Sequence, residues 1–231
     1  MQIPLPFSLP DDATFDAFFA HAGAVASVGA LRQGLVNPPL RAFLHGPAGS
    51  GRTHLLQACC HDAEVRGQAF VYLPLLELRD MPPAELLADL EACPLVCLDD
   101  LDAVLGDARW EESLFHFHNR LLDRGASLLL AARLPPSSLA VKLPDLRSRL
   151  QALLVLPLAL PDDEALLGAL VLRARGRGMA LDPEVARYIV SRATRSVPGL
   201  LAVLDVLDAR SLSAGRRLSI PFVREALGWQ G

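Results

Sequence analysis

The stretch HGPAGSGRTH, His45 to His54, decides how the rest of the chain is read. Gly46, Gly51 and Thr53 stand at the spacing of a phosphate-binding loop, which runs glycine, any four residues, glycine, lysine and then serine or threonine. Gly49 adds a further glycine inside it, and Arg52 stands where the lysine belongs. The apolar run Ala42 to Leu44 precedes the loop, and RTHLLQACC, with helical spacing, follows it. A strand, a glycine turn and a helix in that order let backbone N–H groups wrap a phosphate at the positive end of the helix. Glycine is required because a side chain would hold the backbone away from the phosphate. The glycines alone would be a weak signal; placed between a strand and a helix, they predict a phosphate-loop fold.

A second element lies downstream. LVCLDD, residues 95–100, is an apolar strand ending in two carboxylates. In phosphate-loop proteins the first acid, here Asp99, holds Mg²⁺ together with the loop hydroxyl, here Thr53. The second position usually carries a glutamate that activates water. Asp100 is one methylene shorter, which sets such a base back from the line of attack. The competing reading of Asp99 and Asp100 is a solvated strand end. Arg52 is permanently charged and forks onto phosphate oxygens, but it is bulkier than an ammonium and planar. The combination predicts a site that binds ADP or ATP, with Mg²⁺ if at all through Thr53 and Asp99, and whose own hydrolysis is weak or absent.

The whole chain bounds these readings. Of 231 residues, 52% are hydrophobic and 21% charged, enough for a substantial core and too apolar for disorder. A net charge of −4 weighs against a protein whose main task is gripping nucleic acid. No apolar run approaches the roughly 18 to 20 residues of a membrane span; the richest, LLVLPLAL, is broken by Pro157. The N-terminus lacks the basic start and apolar core of a signal peptide. Cys59, Cys60, Cys93 and Cys97 form neither a CxxC pair nor a spaced metal set, so buried thiols in a reducing cytoplasm are expected.

Three segments emerge. Residues 1–12, MQIPLPFSLPDD, hold three prolines and read as an extended leader. Residues 13–160 alternate strands and helices: RAFLH, QAFVYL, PLVCLDD and ASLLLAA as strands, LQALLVLPL as the candidate for a fifth. The helical patterns follow Gly51, cover AELLADLEA, and run through WEESLFHFHNRLLDR. Such alternation predicts an α/β base, a parallel five-stranded sheet with helices on both faces. Residues 161–231 are helical only. Asp162 and Asp163 open a helix with the stripe Leu166, Leu167, Leu170 and Val171, which Arg173, Arg175 and Arg177 close in the order the helix dipole favours. Asp182-Pro183, Ser196 and Ser219 start three more, making an all-helical lid. His116 and His118, two apart on a helix, point in different directions and cannot readily share a metal. GSG around Ser50 lacks a nucleophile elbow, because Ala48 stands where glycine is needed.

GPAGSGRT, VCLDD and the helical lid together resemble the AAA+ class. WEESLFHFHNRL, LPDLRSRL, RARGRGMAL and LSIPFVREAL resemble the Hda-type family of DnaA-homologous AAA+ proteins, over essentially the full chain. The resemblance implies that Arg52 is a family trait. It implies that QIPLPF docks on the sliding clamp of DNA polymerase III, Gln2 entering a polar pocket while Leu5 and Phe7 fill an apolar groove. Pro4 and Pro6 would hold that segment extended beforehand and reduce its ordering cost. It implies that Arg149 is an arginine finger offered in trans, with Arg147 as a supporting contact. Two positions depart from the pattern. Arg133 stands where strand LLLAA should end in a polar or acidic sensor, and Pro198 where the lid should present a sensing arginine. DnaA-type initiators continue into a helix-turn-helix domain, whereas this sequence ends at Gly231 behind the lid. The expectation is an initiator-like motor without sequence-specific DNA binding, acting on DnaA from the DNA-loaded clamp by promoting hydrolysis of DnaA-bound ATP, with pairing of two copies possible. The alternatives are an autonomous ATPase of the helicase-loader type and a non-catalytic adaptor bridging the clamp and a replication factor.

Overall fold

Five short parallel strands run through the first part of the computed structural model, which describes residues 9–214 and 218–229. They are β1 (Arg41–His45), β2 (Phe70–Pro74), β3 (Leu95–Asp99), β4 (Ser127–Ala132) and β5 (Leu154–Pro157). The sheet order is β2-β3-β4-β1-β5. This order sets the carboxyl ends of β1, β3 and β4 side by side, with Leu44 opposite Ala131 and Leu98 opposite Leu130. The three central strands are apolar at consecutive positions because both sheet faces are covered. Ala42, Phe43 and Leu44 are fully buried, and β4 is buried along its whole length. Strand β5 closes one edge against β1 and leaves Leu154 and Val155 exposed.

The helices before and between the strands are α1 (Val25–Val36), α2 (Arg52–Val65), the single turns α3 (Leu75–Leu78) and α4 (Pro83–Leu86), α5 (Ala108–Arg124) and α6 (Pro144–Gln151). Ser27 in α1 donates its hydroxyl to the Pro157 carbonyl at 2.7 Å and ties that helix to the sheet edge. Helix α5 is signalled at both ends. The Asp107 carboxylate accepts from the Arg109 N–H, and Gly125 closes the helix in the left-handed region at φ +66°. Trp110, Leu114, Phe117 and Leu121 form its buried stripe. AELLADLEA, which reads as one helix, is instead α4 and a later 3₁₀ turn, separated at Asp89 with φ +60°. Aspartate is among the few residues besides glycine that tolerate that region, so the break carries no obvious sequence mark.

The chain divides into two compact units. One comprises Ala22–Ala159 with the described residues up to Phe15; the other comprises Asp16–His21 with the described residues from Leu160 onward. The second unit holds α7 (Asp163–Gly176), α8 (Pro183–Arg192), α9 (Val197–Ala214) and α10 (Ile220–Leu227). Asp162 caps α7 by accepting from the Ala165 N–H at 2.8 Å, and Ser219 caps α10 through Phe222. Leu166 and Leu170 face the unit's core with Ile189, Leu204, Leu207 and Val223, whereas Val171, expected in the same stripe, is exposed. Phe19 packs its ring over Gly168, where a Cβ would meet it at 2.3 Å. No helix among the described residues is long and apolar enough to cross a membrane.

Phe43 has no exposure and sits in the sheet's main core. Phe43→Ala is expected to cost about 3–5 kcal/mol through lost transfer energy and the cavity left behind, read as a lower urea midpoint.

Candidate functional site

The loop after β1 is shaped by what it cannot accommodate. A Cβ at Gly46 would lie 2.2 Å from the Leu158 carbonyl oxygen and 2.8 Å from Ser50 Oγ. Gly49 and Gly51 stand at φ +85° and +94°, where a side chain is strained. Helix α2 starts at once with Arg52, so its first N–H groups, which have no partner within the helix, open onto the loop. Arg52 is only 8% exposed, and its Nη1 has no hydrogen-bond partner among the described residues. Ser50 Oγ, buried beside Gly46, is likewise without one. Buried donors left unpaired are rare, and a bound phosphate oxygen is the kind of group that satisfies such an arginine.

The acids at the end of β3 are occupied by protein groups. Asp99 is 1% exposed. Its Oδ2 accepts from the Tyr72 hydroxyl at 3.0 Å, and its Oδ1 accepts from the Asp100 N–H at 2.9 Å. Tyr72 lies on the neighbouring strand β2; burial and the Asp99 carboxylate push its phenol well above the usual range. Asp100 adopts the left-handed region at φ +50° and brings Oδ1 to 3.6 Å from Arg52 Nη2. Burial and Asp99 push the Asp100 carboxyl up, and Arg52 pulls it back. Arg133, just beyond β4, pairs through Nε with Asp102 Oδ2 at 3.5 Å, and its own N–H reaches Asp102 Oδ1 at 3.4 Å. Two guanidinium groups and three carboxylates therefore meet at one end of the sheet, two of the acids facing an arginine and the third, Asp99, held by neutral donors. Pro198 occupies the first turn of α9 and carries no donor.

Helix α6 carries the other expected group. Arg149 is exposed, and its side chain makes no ion pair or hydrogen bond among the described residues. Arg147, two residues earlier, donates through Nη2 to the Val141 carbonyl. The approach to α6 is fixed from α5 by Glu111, a carboxylate 1% exposed. It accepts from the N–H groups of Gly106 at 2.8 Å, Lys142 at 2.9 Å and Leu143 at 2.7 Å. Lys142 Nζ returns to the Gly106 carbonyl at 2.7 Å. Burial pushes the Glu111 carboxyl up, but the three backbone donors outweigh it and hold the group below its usual value. Neither Tyr72 nor Glu111 stood out in the sequence. A tyrosine inside the apolar run FVYL and an acid next to Trp110 are the only traces, each a polar group that must find a partner when buried. Gln2, Leu5 and Phe7 lie outside the described residues.

Residues 11–157 match the family model of the bacterial DnaA ATPase domain, and residues 162–227 match that of the Hda lid domain. The chain belongs to the DnaA-homologous AAA+ family, Hda type. Solved structures share the fold. Domain III of the replication initiation protein DnaA from Thermotoga maritima is 22% identical with a TM-score of 0.80, over 96% of this chain and 98% of that one. AMPPCP-bound DnaA from Aquifex aeolicus is 21% identical, with a TM-score of 0.73 over 90% of this chain and 68% of that one. The Holliday junction branch migration motor RuvB of Thermotoga maritima is 14% identical, with a TM-score of 0.65 over 91% and 72%.

Within this DnaA-homologous frame the loop residues fit a nucleotide's phosphates: glycines that leave no room for a Cβ, and an arginine with a nitrogen left over. The expected pairing of Thr53 and Asp99 on Mg²⁺ does not fit the observed contacts. Thr53 is exposed, but Asp99 is turned inward with both oxygens engaged by Tyr72 and Asp100.

His118 gives the region around α6 a pH signature. Burial first, then the nearby charges of Arg149 and Arg41, lower its pKa from 6.5 to about 4. Between those values the unfolded chain binds a proton that the folded chain refuses, so stability falls as pH falls through that window. His118→Leu should flatten the loss of urea midpoint between pH of about 6.5 and 4, while the midpoint near neutrality keeps no such slope in either protein.

Proposed function

We propose that this protein switches a DnaA-type initiator off by completing that partner's ATP site with Arg149. The observation that carries the reading is the contrast among its arginines. Arg52, Arg133 and Arg147 are each engaged by a carboxylate or a carbonyl, whereas Arg149 is exposed and uncommitted among the described residues. Hydrolysis spreads negative charge over the transferring phosphoryl oxygens, and a guanidinium delivered from a neighbour stabilises it by about 10³- to 10⁵-fold in rate, or roughly 4–7 kcal/mol of barrier. Such a gain requires that the group arrive already oriented. The Glu111 network supports that, because it fixes residues 142–143, the approach to α6, with three charge-assisted hydrogen bonds.

The protein's own loop, Gly46 to Thr53, holds ADP or ATP through backbone N–H groups and Arg52. Turnover there is disfavoured, because Asp100, at the place of the usual water-activating acid, is committed to Arg52 and Arg133 sits where a sensor belongs. The leader, through Gln2, Leu5 and Phe7, docks on the DNA-loaded sliding clamp and brings Arg149 to initiators near newly replicated DNA.

The test combines the purified chain, DNA-loaded clamp and ATP-bound DnaA, and follows loss of ATP. Wild type accelerates hydrolysis; Arg149→Ala should lose the finger's contribution, about 10³-fold or more, with complex formation retained. Deleting residues 1–7 should remove the dependence on clamp. Undiminished activity of Arg149→Ala would point to an adaptor instead, and robust turnover by the isolated chain to a self-sufficient ATPase.

A further inference from the structure

We propose that the phosphate loop of this chain takes its nucleotide as the metal-free species, with Tyr72 occupying Asp99 in place of a magnesium ion and Arg52 supplying the positive charge. The inference rests on the reading that Gly46 to Thr53 hold a nucleotide. Mg²⁺ demands near-octahedral oxygen ligands and keeps several waters, so a carboxylate that serves it must reach a hydrated cation with a free oxygen. Asp99 does not. It is 1% exposed, one oxygen is taken by the Tyr72 hydroxyl at 3.0 Å, and the other by the Asp100 N–H at 2.9 Å. The second bond is enforced by the backbone, because Asp100 is held in the left-handed region at φ +50°. Thr53, the other half of the expected metal site, stays exposed.

Two of the three acids at this sheet end already face a permanent cation. Arg52 and Arg133 already stand against Asp100 and Asp102 at the same sheet end, and neither guanidinium can deprotonate to make way for a divalent cation. The Arg52–Asp100 pair is long, at 3.6 Å, and Arg52 Nη1 has no partner among the described residues. A diphosphate can therefore be received by that nitrogen without breaking a short hydrogen bond. Tyr72 is the residue that keeps the metal out, since removing its hydroxyl frees Asp99 Oδ2 for a hydrated cation.

Calorimetric titration of the full chain with ADP tests this in excess EDTA and in excess Mg²⁺. Wild type should bind in EDTA at least as tightly as in Mg²⁺, because EDTA leaves ADP as the metal-free species that the loop receives, whereas excess Mg²⁺ converts it to the metal complex. Tyr72→Phe should reverse the order and bind at least about tenfold tighter with Mg²⁺ than in EDTA. Wild-type binding that collapses in EDTA overturns the proposal and leaves the nucleotide reading standing. Tyr72→Phe that folds, by circular dichroism, and still ignores Mg²⁺ also overturns it. Absence of ADP binding under both conditions overturns the proposal and the nucleotide reading together. The wild-type comparison decides the matter even if Tyr72→Phe does not fold.

Discussion

Asp99 is a fully buried carboxylate at the end of a buried strand, and much of the site follows from how its charge is accommodated. An isolated buried charge is costly unless it is paired and hydrogen-bonded. The chain meets that requirement with a phenol from β2 and with the next backbone N–H. Turning the backbone at Asp100 to deliver that N–H throws the Asp100 side chain toward Arg52. Arg52 is then drawn across the loop, and Asp102, two residues on, is left to meet Arg133. The ion pairs at the ends of β1, β3 and β4 thus form a chain of consequences that begins with one buried acid. The strand order makes the chain possible, since it brings those three ends together.

The fold was largely legible because its signals are local. A strand buried on both faces reads as a continuous apolar run, and β1, β3 and β4 do. The phosphate loop reads from four residues and their flanks. The AELLADLEA segment misled because helical periodicity persists across Asp89, while the break depends on a left-handed conformation that aspartate tolerates and no neighbour announces. In the site, the residue types were legible but their pairing was not. Asp99 as a metal ligand follows from motif spacing; that its oxygens are already spoken for depends on Tyr72, 27 positions away on another strand. Glu111 was hidden for the same reason, since its partners Lys142 and Leu143 come from 31 and 32 positions downstream. Val171 shows the limit of stripe reading: a helix that packs on one side only leaves the stripe's margin in solvent.

Arg147 and Arg149 show how two identical side chains on one short helix come to different surroundings. Two positions apart they point in different directions, as helical geometry requires. Arg147 folds back on the Val141 carbonyl and so helps close the entrance to its own helix. Arg149 receives no such bond among the described residues and faces solvent. Beneath it His118 stays neutral, because burial and the two arginine charges oppose protonation. A charged imidazole there would repel Arg149 and tax the core between α5 and α6. The pocket walls explain the neutrality: a small cavity is lined by Leu98, Leu114, Phe117, Leu146 and Leu150 with His118.

The exchange of lysine for arginine in the loop fits this division of labour. A lysine ammonium is a mobile point charge that can track a terminal phosphate through transfer, whereas a guanidinium is planar and engages two partners at fixed angles. Arg52 uses one edge on Asp100 and keeps Nη1 in reserve. A group held that way suits a static occupant better than a reacting one. Holding the acid next to it also removes the carboxylate that would otherwise activate water. In the proposed reading the same pair of residues steadies a nucleotide and restrains its hydrolysis, and Arg149 is the group that acts on another molecule's phosphate.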